Sequence, residues 1–455
     1  MIQILTIGLF VGMCLGGILN ANYCLVLLVS MFAIEQGLQA SSPMFASQPI
    51  LCNLIITGVT AIAVFRTFLK NNSINYIFNS GFIIFVCIYG WSVLSLIWTP
   101  SFEIASKIIG IGIIYIILYG FLAQILIGDK DFIYKFNLIL MGCGAIICML
   151  VLLNPEFIFR DGRLVFQLTH DIRTNPNAVG ELGATIFVVA VLLRISKVHW
   201  FVQLLRFVAF FSGILMAFQS GSRGQLGFAI FVCLILYPVA KIVQFKNLIG
   251  ALIGIVFSIP IIYLIASQFV GQDVLIRWST GTGGGGIDSG IYVRLLNSLD
   301  LISEWVTRPI AWVIGLGVNA FSSLTTAGSV EGYAHNLTIE IMTELGLPIF
   351  FLYLIFIIKT AHSAYALFDR YRQQPHERAN ITNLIGCWVF QLLLAQKQGN
   401  LWTDVSFFFY SLWIIGLQNK TLNSDNLLYG LETNQSMKQD LYSDTRSADD
   451  KNYQS

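Results

Sequence analysis

The chain has 455 residues, 56% of them hydrophobic and only 11% charged, with a formal net charge of +2. Soluble proteins average about 25% charged residues, so this composition excludes an ordinary soluble domain, and no basic run points to a nucleic-acid partner. Apolar runs of about 20 residues predict an all-α, polytopic transmembrane helical bundle in contact with membrane lipids. The alternating ten-residue strands of a transmembrane β-barrel are absent from the sequence.

The apolar runs predict about 12 spans. Residues 1–34 fit either one long tilted span or two short spans broken near Gly16, Gly17 and Asn20. The other candidate spans are 48–68, 76–98, 106–127, 132–153, 178–194, 200–220, 224–241, 247–269, 337–358, 381–398 and 401–418.

Lysine and arginine recur in every second connection between the predicted spans, and those connections are expected on the cytoplasmic side. The intervening connections include one large outer loop, 270–335. The chain therefore divides into N-terminal transmembrane helices (1–269), this loop, C-terminal transmembrane helices (336–418) and a tail (419–455). The tail is polar with mixed charge, which predicts a disordered cytoplasmic segment.

The outer loop contains apolar residues at helical spacing. Leu295, Leu299, Ile302 and Val306 recur at intervals of three and four, which predicts an amphipathic helix lying either on the membrane or on the bundle. Pro309 is expected to end this helix.

The eight cysteines all lie in apolar segments. This placement argues against a disulfide framework, and no Cys/His group has the spacing of metal ligands. We therefore expect packed free thiols, no metal and no cofactor.

The predicted outer segments carry arginine with almost no lysine, the exceptions being Lys107 and Lys397 at span ends. Arginine is a planar, two-pronged donor that suits phosphate or carboxylate. Pairing with acidic residues of the loop is the alternative for some of these arginines. They are Arg160, Arg163, Arg173, Arg223, Arg277, Arg294 and Arg308.

The segment Gln219-Ser-Gly-Ser-Arg-Gly-Gln225 forms a predicted tight outer turn. Arg223 then begins the next span, where free N–H groups and the helix dipole favour an anion. A guanidinium at that position is unfavourable for the helix itself, so we expect an anionic substrate to compensate. A purely structural turn is the alternative.

Two further segments place candidate groups at helix starts. Ser289-Gly-Ile-Tyr-Val-Arg294 begins the loop helix, so Arg294 and Arg223 could clamp a diphosphate together, unless Arg294 pairs with a nearby acid. Arg173-Thr-Asn-Pro-Asn177 forms a turn that starts a span. Its amides could contact sugar hydroxyls, and a plain helix cap explains them equally well.

His335-Asn336 lies where the loop re-enters an apolar helix. An imidazole titrates near neutrality, so His335 could accept a proton from a sugar hydroxyl or bond to a phosphate. Glu344 is a carboxylate entering the apolar span, and capping or pairing with an arginine is the alternative to a role in the site.

These motifs, in this order and on one side of the membrane, resemble the O-antigen ligase / O-antigen polymerase superfamily of bacterial envelope glycosyltransferases. The resemblance covers roughly residues 170–350. It rests on Asn175-Pro-Asn177, Ser222-Arg223-Gly224, Arg294, Pro309, Gly315-Leu-Gly317-Val-Asn319, His335-Asn336 and Glu344-Leu-Gly346.

The resemblance implies a GT-C-like, inverting, metal-independent glycosyl transfer at the periplasmic face of the bacterial inner membrane. The donor would be a glycan on undecaprenyl diphosphate. Arg223 and Arg294 would stabilise the departing diphosphate, and His335 would orient or deprotonate the acceptor hydroxyl or contact the diphosphate. The residues expected to bind substrate are Ser222, Asn336, Asn175, Asn177, Arg173, Glu344 and Lys397.

Two alternatives stay open. A ligase and a polymerase differ in the acceptor, which is lipid A-core or another glycan. The compact loop carrying both Arg294 and His335 favours the ligase. A transporter would need polar groups near the middle of its spans, and the sequence offers Gln124, Gln391 and Gln396.

Overall fold

The computed structural model describes residues 1–48, 50–70, 77–128, 130–160, 163–166, 176–194, 200–241, 289–325 and 334–422. In these ranges the helices are α1 (Ile2–Leu19), α2 (Ala21–Ser41), α3 (Pro43–Ser47), α4 (Ile50–Lys70), α5 (Ser80–Leu94), α6 (Phe102–Tyr115), α7 (Ala123–Leu126), α8 (Lys130–Leu153), α9 (Pro176–Leu192), α10 (Trp200–Gln219), α11 (Arg223–Lys241), α12 (Ser289–Val306), α13 (Ala311–Ile314), α14 (Phe321–Leu324), α15 (Leu337–Leu345), α16 (Leu347–Arg370), α17 (Pro375–Gln398) and α18 (405–422). A 3₁₀ turn (Ser95–Ile97) follows α5, and a π-helical segment (Ile116–Leu122) joins α6 to α7.

In the described part of the chain, nine helical segments are long and apolar enough to cross a membrane, which makes the chain an all-α, multi-pass membrane protein. The predicted span 247–269 lies outside the described residues, as do residues 270–288 and 326–333 of the predicted loop and most of the tail. The total of about 12 spans therefore stays a prediction. The nine segments are Ile2–Leu19, Ala21–Ser41, Ile50–Lys70, Ser80–Ile97, Phe102–Leu126, Asp131–Leu153, Trp200–Gln219, Arg223–Lys241 and Leu347–Arg370.

The first apolar run is two helices rather than one. The chain leaves the helical conformation at Asn20, and the Asn20 side-chain oxygen accepts a hydrogen bond of 2.9 Å from the backbone N–H of Asn22. Asparagine is a favoured N-cap, because its side chain satisfies an N–H group that has no partner within the helix. Residues 1–34 therefore belong to two helices, which is the second of the two alternatives that the sequence left open.

The predicted single span 337–358 was wrong, because the helix is interrupted at Gly346. This glycine has a φ of +85°, a conformation that ends α15, and Pro348 then lies in the first turn of α16. The candidate membrane span begins only at Leu347. The short helix α15 therefore precedes the span and carries Glu340 and Glu344.

The predicted amphipathic helix of the loop is present as α12, and it ends before Pro309 as expected. A short antiparallel hairpin, β1 (Phe157–Arg160) with β2 (Arg163–Phe166), was not predicted. It follows α8, and its strands pair Phe157 with Phe166.

Helices α2, α9 and α18 form the interior of the bundle. Along α18 the bulky side chains of Phe407, Phe408, Phe409 and Trp413 are all buried, so this helix is apolar and covered on every side. The eight cysteines are free thiols, and most are buried as expected. Cys87 on α5 departs from that expectation, because its side chain is exposed.

Candidate functional site

The predicted turn between α10 and α11 is formed by residues 220–222. The Ser220 hydroxyl donates to the carbonyl of Ala217 and accepts from the backbone N–H of Ser222. The Gln225 side-chain amide donates to the carbonyl of Asn177 over 2.8 Å, which ties the turn to the first turn of α9. Arg223 is the first residue of α11, as the sequence predicts, and its side chain is half-buried.

Lys397, in the last turn of α17, reaches this turn from a distant part of the sequence. Its ammonium group donates to the Ser222 hydroxyl over 3.2 Å. The lysine stem lies over Gly224, where an added Cβ would be only 2.3 Å from the Lys397 Cδ atom. The glycine therefore leaves the space that the lysine occupies. Arg223 thus follows Ser222 in the sequence, while the Lys397 ammonium group contacts Ser222 from another helix.

His335 has an uncommon backbone conformation for a residue with a side chain, with a φ of +60°. Asn336 fixes the chain directly after it. Its side-chain oxygen accepts from the N–H of Ile339 over 3.0 Å and so caps α15, and its amide nitrogen donates to the Gln396 carbonyl over 3.1 Å. Both halves of this amide thus bond to the protein. Strained conformations of this kind concentrate at functional sites.

Gln396 joins the His335 segment to Lys397. Its side-chain oxygen accepts from the Thr338 hydroxyl, and its amide nitrogen donates to the Tyr353 hydroxyl over 3.4 Å. Lys397 follows Gln396 directly in the chain. One end of α17 therefore contacts the Ser222 turn through Lys397 and the His335 turn through the backbone and side chain of Gln396. We call Ser222, Lys397, Gln396, Asn336 and Thr338 the polar junction.

Arg294 belongs to a different element, α12. This helix packs its inner side against α15 through a small cluster that includes Leu301 and Ala334, the residue before His335. Arg294 lies seven residues before Leu301 and hence on the same side of the helix, and its side chain is half-buried. The structure thus brings the Arg294 face of α12 against the His335 segment, whereas Ser222, Lys397 and Asn336 are joined by direct hydrogen bonds through the end of α17.

The contacts of Glu344 fit the alternative given for it in the sequence analysis, a capping role rather than a role in the site. Its buried carboxylate accepts from the backbone N–H of Asn319 over 2.6 Å and from that of Phe321 over 3.1 Å. Burial raises the pKa of Glu344 to about 7, against the opposing effect of these N–H donors. Both oxygens anchor the turn that carries Asn319, and we assign Glu344 to this scaffold.

The sequence analysis missed two half-buried carboxylates, Glu181 on α9 and Asp404 just before α18. The Glu181 carboxylate accepts from the Gln391 amide over 3.0 Å, inside the bundle. The buried Glu340 on α15 accepts from the Asn400 amide and from the N–H of Leu401, each over 3.1 Å. A carboxylate within an apolar run is itself a signal, because such groups are expensive in a membrane.

Of the last three predicted site residues, the structure describes only Asn177. Asn177 is the second residue of α9, and its carbonyl accepts from Gln225 as described above. Arg173 and Asn175 lie outside the described residues. Within the described ranges, no group of three or more His, Cys, Asp and Glu side chains is arranged to hold a metal ion.

Comparison of the sequence with protein-family models and with curated proteins finds no match.

Proposed function

We propose that this chain is a bacterial inner-membrane glycosyltransferase that moves a glycan from undecaprenyl diphosphate to an acceptor hydroxyl at the periplasmic face. The observation that carries the proposal is the polar junction. It joins the turn before Arg223, which Lys397 contacts, to the turn that carries His335. Cations and an imidazole, held by three different parts of the chain, are the groups that a glycosyl diphosphate needs.

The reaction requires the protein mainly to position the substrates and to supply positive charge. A glycosyl diphosphate already has a good leaving group, so the protein has to position donor and acceptor and neutralise the charge that develops on the departing oxygen. Arg223 supplies a two-pronged donor at a helix N-terminus, where N–H groups also favour an anion. Lys397 adds a point charge beside it, and Arg294 approaches from α12.

In this proposal His335 acts on the acceptor hydroxyl. An imidazole can accept the proton of the acceptor hydroxyl as the new glycosidic bond forms, or it can orient that hydroxyl. The Asn336 bonds to Ile339 and Gln396 would hold the His335 turn in place during this step. Asn336, Gln396 and Thr338 then act as positioning residues.

We favour a ligase, with lipid A-core as the acceptor, over a repeat-unit polymerase with a glycan acceptor. The support is that one loop contributes both α12 with Arg294 and the His335 segment, and that these pack together through Leu301 and Ala334. Deletion of the gene in its host separates the two functions. Loss of a ligase leaves long undecaprenyl-linked chains, and loss of a polymerase leaves single repeats on the core.

Complementation of the deletion strain tests the proposal itself. Wild-type protein should restore the glycan ladder, whereas Arg223→Ala, Arg294→Ala and His335→Ala should not, at equal protein level. Arg308→Ala is a matched control, because Arg308 lies exposed on the same loop and pairs with Glu304 over 2.8 Å. Normal ladders in all three site variants would overturn the proposal.

A transporter is the second candidate, and the hydrogen bond between the half-buried Glu181 and the buried Gln391 is the observation that favours it. Ionisable groups in the interior of a membrane bundle are a usual mark of ion or proton pathways. Uptake of a solute into proteoliposomes that depends on a proton gradient and is lost in Glu181→Gln would support this candidate. Equal uptake of the solute by proteoliposomes and by empty liposomes would exclude a transporter.

A further inference from the structure

Helix α12 has three distinct sides. The side toward the protein buries Asn297, Ser298 and Leu301 almost completely. A second side exposes Leu295 by 55% and Leu299 by 51% of their surface, together with Val306 and the half-buried Ile302. We call these four residues the apolar stripe. The third side carries the polar residues Asp300, Ser303 and Glu304 together with the exposed Leu296, and Thr307 and Arg308 follow directly after the helix.

The apolar stripe that the sequence analysis identified is therefore not the side that packs on the bundle. At about 100° per residue, the stripe is centred roughly a quarter turn from the line of Arg294, Ser298 and Leu301. The polar side lies opposite the stripe. A helix with one side on protein, one side polar and one apolar side that the protein leaves open has the form of a helix lying in a membrane interface.

The exposed apolar surface continues from α12 onto a membrane span. After Pro309, the side chains of Ile310, Trp312 and Val313 are exposed, and α13 packs against α16. Helix α16 is a candidate span and exposes Phe351 and Ile355 on its own surface. The surface that α16 would present to lipid thus continues through α13 to α12.

Tryptophan placement agrees with a membrane interface. The Trp305 and Trp312 rings lie 6.0 Å apart, with Trp305 packed against the Leu301 cluster and Trp312 exposed on α13. Tryptophan is enriched where the hydrocarbon of a bilayer meets its headgroups. Beyond this aromatic pair, the exposed Arg308–Glu304 ion pair lies on the polar side of α12.

We propose that α12 lies along the surface of the bilayer, with the apolar stripe inserted among the acyl chains of membrane lipids. The partner is the phospholipid bilayer itself. One consequence rests on the proposed function. Because Arg294 is on the protein-facing side of the same helix, α12 would hold its guanidinium at the depth of lipid phosphates, where the diphosphate of a lipid-linked glycan also lies.

Site-specific photo-crosslinking in native membranes tests this placement. Benzoylphenylalanine replaces Leu299 in one variant and Asp300 in another, so the two probes are adjacent in sequence, both exposed, and about 100° apart around the helix. After irradiation, mass spectrometry of the α12 peptide identifies the adduct. We expect phospholipid adducts from position 299 and several-fold fewer from position 300.

The contrary results are equally specific. The proposal would be overturned if position 299 formed adducts with another part of this chain or with a second protein. Equal yields of lipid adducts from both positions would also overturn it. The readout does not involve glycan transfer, so its failure is distinguishable from failure of the proposed function. Leu299→Glu then tests the consequence: lowered glycan transfer at normal protein level is expected, and unchanged transfer would refute the depth argument for Arg294.

Discussion

The Lys397 ammonium nitrogen lies 3.2 Å from the Ser222 hydroxyl oxygen, although 175 positions separate the two residues in the sequence. This hydrogen bond fixes the end of α17 to the turn that begins α11. Since Gln396 bonds to Asn336, the same helix end also fixes the His335 turn. The relative placement of the proposed cations and imidazole therefore depends on α17, which lies outside the segment that carries the motifs.

Gly224→Ala tests the place of Lys397. The new Cβ would be 2.3 Å from the Lys397 Cδ atom, so the lysine would have to leave Ser222. Because a lysine stem is flexible, we expect a normal protein level with markedly lower glycan transfer in the ladder assay. Gly227→Ala is the matched control one turn further along α11, where an added Cβ meets nothing within 4 Å. Equal transfer by the two variants would show that the Lys397 contact is dispensable.

Arg223→Lys separates charge from geometry. Lysine keeps the positive charge but cannot make the planar, two-pronged contact of a guanidinium with a phosphate. We expect the initial rate of transfer to fall in Arg223→Lys and to fall further in Arg223→Ala, where loss of a charge-stabilising donor costs about 10²–10³ in rate. Full activity of the lysine variant would mean that the position needs only a charge.

Asn336 offers a way to separate capping from positioning. Asn336→Asp keeps an oxygen to cap α15 but places a carboxylate against the Gln396 carbonyl, whereas Asn336→Ala removes both bonds. The lost cap in the alanine variant should cost about 1 kcal/mol of stability. We expect Asn336→Asp to unfold near the wild-type temperature in detergent and yet to lose glycan transfer. Retained transfer in Asn336→Asp would contradict the positioning role.

The free energy of unfolding should fall as the pH rises through the pKa of Glu344. The folded pKa of about 7 lies above the usual 4.5, because burial favours the protonated form. The stability from this group is therefore complete below about pH 4.5 and is lost as the pH rises through about 7. The unfolding midpoint of the detergent-solubilised protein should fall over this range. Glu344→Gln should be less pH-dependent over the same range, and an unchanged slope would contradict this assignment.

Local chemistry made several features predictable. Asn20 is a good helix cap and marks the break between α1 and α2, and Pro309 follows the end of α12. The start of α11 at Arg223 was also predicted from the Ser-Gly-Ser turn. In each case a few neighbouring residues determine the outcome, although for residues 1–34 the sequence left one span or two as alternatives.

Long-range packing was not predictable in the same way. The apolar stripe of α12 suggested contact with either membrane or bundle, and only the burial of Asn297, Ser298 and Leu301 shows which side faces the protein. The break at Gly346 depends on a positive φ that no periodicity reveals. Likewise, Gln396 is an unremarkable residue near the end of a helix until the fold places it between Asn336 and Lys397.

The most direct measurement of the central claim uses the purified protein in proteoliposomes with a glycan on undecaprenyl diphosphate and an acceptor glycan or lipid A-core. Release of undecaprenyl diphosphate and formation of the glycosylated acceptor are followed together. The account predicts that wild type and Arg308→Ala form both products, while Arg223→Ala, Arg294→Ala and His335→Ala lose about 10²–10³ in rate. Transfer at the wild-type rate by those three variants would contradict it.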